Sequence, residues 1–261
     1  MNKKVYASTL KAIAVTPVTW IGLCAVIALL AEIVGREPTV ANTRNFHESL
    51  SAYAEAPLVL AIPIFLSVIA SVDILKDKKN RFRDILTVSG TSQWKYYCSK
   101  IAAYLSVCLA VSFVLSYAFF LIRFFQYDML SGIDYSLAEC LWLLCVRWIA
   151  YSIPVLTVYV SMSVCISLMC RSAAIGIVLS VAYAFAKYMI PWLRLEHFLS
   201  DYVYHIPTKI INYFYFLNTK APPAAVVHVE LLQVIAAYAI ILAISGILFS
   251  AGYVTYKRMV D

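Results

Sequence analysis

Apolar positions gather into six long runs, at about 13–34, 54–72, 97–122, 142–169, 172–192 and 231–255. An α-helix crosses the roughly 30 Å of bilayer hydrocarbon in about 20 residues, so each run is long enough to span. The pattern predicts an all-α integral membrane protein with six transmembrane helices. The polar remainder is too short to build a soluble core, so residues 1–261 read as one transmembrane domain. The first run follows Lys3, Lys4 and Lys11, as the apolar part of a signal peptide would. Its length and its Trp20 mark it instead as a span.

The apolar pattern breaks most sharply at residues 73–100, DILKDKKNRFRDILTVSGTSQWKYYCSK, with seven Lys or Arg in 28 positions. Inside it Phe82, Ile85 and Leu86 fall at i, i+3 and i+4, one face of a short helix. Arg81, Arg83 and Asp84 flank that face. Gly90 breaks the helix, and Ser89, Thr91 or Ser92 is placed to cap the next one. Trp94, Lys95, Tyr96 and Tyr97 then read as an interfacial belt where the third span begins. So short an apolar face cannot build a core of its own. Either it lies on the headgroups with its cations toward anionic lipid, or it docks into a groove on a soluble partner.

Three further polar segments lie at about 35–53, 123–141 and 193–230. The last is rich in Tyr and Phe and interrupted by Pro207, Pro222 and Pro223. It is too broken to span, and rings with a polar tip favour the headgroup level. Short interfacial or re-entrant helices are therefore expected between spans five and six. Residues 1–12 mix Lys3, Lys4 and Lys11 with Val5, Tyr6 and Leu10. They suit either an amphipathic helix on the inner interface or a plain cationic anchor.

Composition sharpens the picture. The chain is 63% hydrophobic and 13% charged, about half the quarter usual in soluble domains. Six spans put both termini on one side, together with 73–100 and a short turn near residue 171. That side carries 13 of the 21 Lys and Arg, and the opposite side six. The bias places both termini and residues 73–96 in the cytoplasm, in a multi-pass protein of the plasma membrane. The net charge of +7 is then a signal of topology, and no nucleic-acid partner is expected.

Site chemistry is sparse. No phosphate-binding Gly-rich loop, H-E-x-x-H helix or triad-like arrangement occurs. His197 and His205 with Asp201 have nothing to fix them as a metal site, and no cofactor is expected in this chain. The seven cysteines fall mostly within the runs and read as small buried apolar residues. Gly246 and Ser250 form a small-x-x-x-small pair that permits close helix packing. Arg147 and Lys187 each lie about five residues inside an outer span end, and Glu55 sits at similar height. Arg147 and Lys187 either snorkel to headgroups, or join an inward cluster that pairs charges or holds an anionic part of a substrate.

The whole arrangement resembles the permease subunit of a type-2 ATP-binding-cassette (ABC) exporter. In that family the loop between spans two and three reads as an acid, a basic stretch, a large-large-small-Gly turn and a Lys as span three begins. Here RFRDILTVSGTSQWKYYCSK fits, with Lys100 in the last position. Many relatives carry a Glu-Arg-Glu-x-Gly-Thr cluster before the turn, where this chain has Lys78-Lys79-Asn80-Arg81-Phe82-Arg83. The resemblance implies a coupling helix at 81–86 seated in a separate ABC ATPase subunit, which would bind the ATP and Mg. It also implies a second permease copy or sister permease, and a hydrophobic or amphipathic cargo such as a peptide, drug or lipid. Two other classes stay open: a stand-alone secondary transporter or membrane enzyme, and a structural or sensory membrane subunit that moves nothing.

Overall fold

The computed structural model describes residues 2–35, 62–79, 90, 92–127, 137–172, 174–182 and 231–260. Every described element is a helix: α1 (Lys3–Val15), α2 (Pro17–Gly35), α3 (Ile62–Lys79), α4 (Gln93–Tyr127), α5 (Leu137–Cys170), α6 (174–182) and α7 (Leu231–Val260). The expected interfacial or re-entrant helices at 193–230 lie outside the described residues.

The first apolar run is not one straight crossing. Asn2 caps α1, its side chain accepting from the Lys4 and Val5 amides at 3.1 and 3.4 Å. Thr16 is extended (φ −75°, ψ 125°), as sterics require of a residue before proline. Pro17 then opens α2, where its missing N–H is no loss. Lys3–Val15 and Thr19–Ala25 consequently meet at 61°. The corner is pinned by Thr19, whose hydroxyl donates to the Ile13 carbonyl, and by the Trp20 indole N–H, which donates to the Ala14 carbonyl at 2.9 Å.

The stretches Gln93–Ala118 within α4 and Tyr238–Met259 within α7 are each long and apolar enough to cross a membrane. At 1.5 Å per residue α4 runs on for about 50 Å. It starts four residues before the expected span and extends beyond its far end.

Helix α5 is the centre of the packing, against α7, α3 and α4, while α1 docks on α4 and α2 on α3. Apolar side chains such as Leu66, Leu144, Leu156 and Leu168 fill the interior. Polar ties cross it as well. Ser67 and Ser71 on α3 share hydrogen bonds with Ser163 and Ser167 on α5, at 2.9 and 2.5 Å. The four-residue spacing on both helices lines the serines up as a ladder. Small hydroxyl residues of this kind let helices approach and bond across the contact where no water can serve them.

The expected small-residue seat on α7 is not where close packing occurs. Gly246 and Ser250 are exposed, and a Cβ on Gly246 would meet nothing within 4 Å. Gly252 is the close approach: it is buried, and its Cβ would collide with the Tyr97 hydroxyl and lie 3.6 Å from the Cys165 backbone. The cysteine expectation also divides. Cys108, Cys140 and Cys165 are buried and Cys24 is exposed, and all seven are free thiols.

Candidate functional site

Residues 73–100 begin on α3 and end two turns into α4. Gly90 sits in the turn before α4 with φ +63°, a left-handed conformation that glycine adopts without strain. Ser92 is the capping residue: its hydroxyl accepts from the Lys95 amide at 3.3 Å. Residues 81–86, with Arg81, Phe82, Arg83, Asp84, Ile85 and Leu86, lie outside the described residues.

The expected belt at 94–97 is only half a belt. Trp94 and Lys95 are exposed, but Tyr96 and Tyr97 are buried. A helix turns about 100° per residue, so four consecutive side chains cannot all face outward. The two tyrosines instead meet the last turns of α7. The Tyr97 hydroxyl donates to the Phe249 carbonyl at 3.2 Å. Tyr96 stacks on Tyr256 with ring centroids 6.3 Å apart. Trp94 closes the cluster edge-on to Tyr253 at 4.7 Å.

One residue face further along α4 lies a buried charge. Lys100 is 4% exposed, and lysine is almost never so buried unless paired. Its ammonium is 3.0 Å from the Asp73 carboxylate and 3.4 Å from the Asp73 carbonyl oxygen. It also stands 5.5 Å from the centroid of the Tyr96 ring, within reach of the ring's negative face. The Tyr104 hydroxyl donates to the same carboxylate. Tyr96, Lys100 and Tyr104 follow one another at four-residue spacing, so one face of α4 carries the whole group.

The chain's beginning is tied to the same turn of α4. The Asn2 amide donates to the Ser99 hydroxyl at 2.7 Å, and the Tyr6 hydroxyl to that of Ser106 at 2.8 Å. The α1 helix is amphipathic: Thr9 and Ile13 are buried against the bundle, and Lys3, Lys4 and Lys11 are exposed. Asn2 and Tyr256 therefore both pack on the first two turns of α4, the helix that follows the basic loop.

The membrane-charge residues are not brought together among the described residues. Glu55 and Lys187 lie outside them. Arg147 is placed on α5, next to Trp148, whose indole N–H donates to the buried Ser112 hydroxyl at 3.0 Å. The four histidines also lie outside the described residues, among which no group of three His, Cys, Asp or Glu side chains is assembled to hold a metal.

The sequence pattern marks the two ends of residues 73–100 but does not group Asp73, Lys100 and Tyr104. The signal for the pair is an acid and a lysine at the two ends of one polar stretch, each against an apolar run. Two unlike charges so placed have reason to pair rather than to enter hydrocarbon singly.

These features are those of a helical integral membrane protein in which an internal ion pair joins the helices on either side of the basic loop. The family model for ABC-2 family transporter proteins matches residues 21–253, and the chain belongs to that family. It is an ABC-2 type permease subunit, of a kind that works with ABC ATPase partners. No curated protein matches the chain.

Proposed function

We propose that this chain is the membrane half of an ATP-driven exporter of the plasma membrane, and that its cargo is hydrophobic or amphipathic. It has six crossings, with both termini and the 73–100 loop in the cytoplasm. Phe82, Ile85 and Leu86 form the apolar face that enters a groove on an ABC ATPase subunit, with Arg81, Arg83 and Asp84 at its rim. The partner subunit binds ATP and Mg, and closure of two such subunits drives the loop as a lever. A second permease, the same chain or a sister, completes the pathway.

The observation that carries this reading is the family match over residues 21–253, which includes the whole loop. The charge pattern supports the orientation, with 13 of 21 Lys and Arg on the side assigned to the cytoplasm. The absence of a Gly-rich phosphate loop from the sequence supports placing ATP hydrolysis in another chain. The test is purification in mild detergent from cells that also express a candidate ABC ATPase subunit. The expected result is a stable complex that hydrolyses Mg-ATP. A permease that purifies alone and transports without ATP would overturn the reading in favour of a secondary transporter.

A further inference from the structure

We propose that Asp73 and Lys100 act as a clamp that makes the basic loop rigid at its base, and that they are positioning residues for energy coupling. The inference rests on the reading of that loop as the element seated in an ATPase. It adds the residues that turn a displacement of the loop into a displacement of the helices.

The geometry points to this role in three ways. First, the pair joins the two helices that lead into and out of the loop, Asp73 six residues before the end of α3 and Lys100 seven residues after the start of α4. It is therefore placed to hold α3 and α4 at a fixed separation about two turns below the loop. Second, the pair is held from several directions. Lys100 reaches both the carboxylate and the main-chain carbonyl of Asp73, Tyr104 donates to the carboxylate, and the Tyr96 ring lies beside the ammonium. Each contact removes a way for Lys100 to swing free. Third, both helices are tied to the rest of the bundle beside the pair. On α4, Ser99 takes the Asn2 amide of the α1 cap and Tyr97 donates to α7; on α3, Ser71, two residues before Asp73, bonds Ser167 of α5.

A loop with loose roots absorbs a push in its own torsions. A loop with clamped roots passes the push to α3 and α4 together, because packed helices shift as bodies rather than deform smoothly. The burial of Lys100, with Asp73 half-buried beside it, suits the task. Replacing one partner alone strands the other without compensation, whereas removing both leaves neutral groups of similar size. Asp73→Asn with Lys100→Met is therefore the informative variant. Asp73→Asn alone would confuse loss of the clamp with the cost of a buried unpaired lysine.

The experiment has two arms. In the first, spin labels are placed at the exposed positions Lys76 and Lys95, one on each root, in a chain whose native cysteines are replaced. The permease alone is then measured in lipid nanodiscs. The parent chain is expected to give one narrow distance distribution. The double variant Asp73→Asn/Lys100→Met should broaden it, and Lys100→Arg, which keeps the charge, should keep it narrow. A double variant as narrow as the parent overturns the clamp. This arm needs no ATPase, so it remains readable if the coupling reading itself fails. In the second arm, the double variant is purified with the ATPase. It should still assemble, keep its melting temperature, and lose the permease-dependent part of ATP hydrolysis, with Lys100→Arg restoring it. Full hydrolysis in an assembled double variant overturns the role in coupling. Failure of the parent chain to capture the ATPase would instead overturn the reading on which the inference rests.

Discussion

Gly252 of α7 lies so close to Tyr97 of α4 that a single added carbon would run into the tyrosine hydroxyl. That contact lets the aromatic ends of α4 and α7 interleave, and it leaves Tyr97 free to donate to the Phe249 carbonyl. Gly252→Val should cost about 1–3 kcal/mol through overpacking. Gly246→Val, at an exposed position with open space around it, should change stability by no more than about 0.5 kcal/mol. Thermal unfolding of the two variants in detergent checks this, and equal losses would remove Gly252 from its place as the packing seat.

Leu86→Asp should release the ATPase. Burying one large apolar side chain contributes about 1.5–3 kcal/mol, while an exposed ion pair contributes roughly 0–1 kcal/mol. The substitution also places an unpaired charge in a groove, which costs more than the lost transfer energy. Arg81→Ala should be mild by comparison. Co-purification of the ATPase and ATP hydrolysis are the readouts. If Leu86→Asp leaves both intact, the helix rests on lipid instead.

Orientation is open to direct labelling. A cysteine introduced at Thr43 or Asn218 should react with an impermeant thiol reagent in intact cells. One at Asn80 should react only after the membrane is opened. Labelling of Asn80 from outside would invert the arrangement inferred from the charge bias.

Lys187→Ala should alter transport, or the stimulation of ATP hydrolysis by cargo, while the complex still assembles, if Lys187 and Arg147 hold an anionic group. The pairing is motivated by their shared depth from the outer span ends. Unchanged transport with both replaced by alanine would leave snorkelling to the headgroups as their role.

Several features of this chain were written locally. The length of the apolar runs carries the helical membrane class, because the bilayer demands an uninterrupted stretch of backbone that satisfies its own hydrogen bonds. The resemblance of residues 73–100 to an ABC exporter permease rests on consecutive residues too, and the family match over residues 21–253 agrees with it. Gly90 could be named as the turn, and Ser92 is one of three candidate caps with Ser89 and Thr91, since such roles act on neighbouring amides. The break at Thr16 and Pro17 was equally local, and the proline shows why the first run bends where the hydropathy pattern runs straight on.

Only tertiary structure decided which side chains were used. Tyr96 and Tyr97 resemble Trp94 in composition, yet they turn inward because α7 presents Tyr253 and Tyr256 at that height. Gly246 and Gly252 are alike in sequence, and the neighbour across the contact makes one a seat and the other a bystander. Lys100 stands out in the sequence only as the lysine where the third span begins; the fold brings Asp73, 27 positions earlier, against it. A polar group's tolerance for burial depends on whether a partner is there to meet it. That partner lies on another helix, so neither hydropathy nor spacing along one segment determines it.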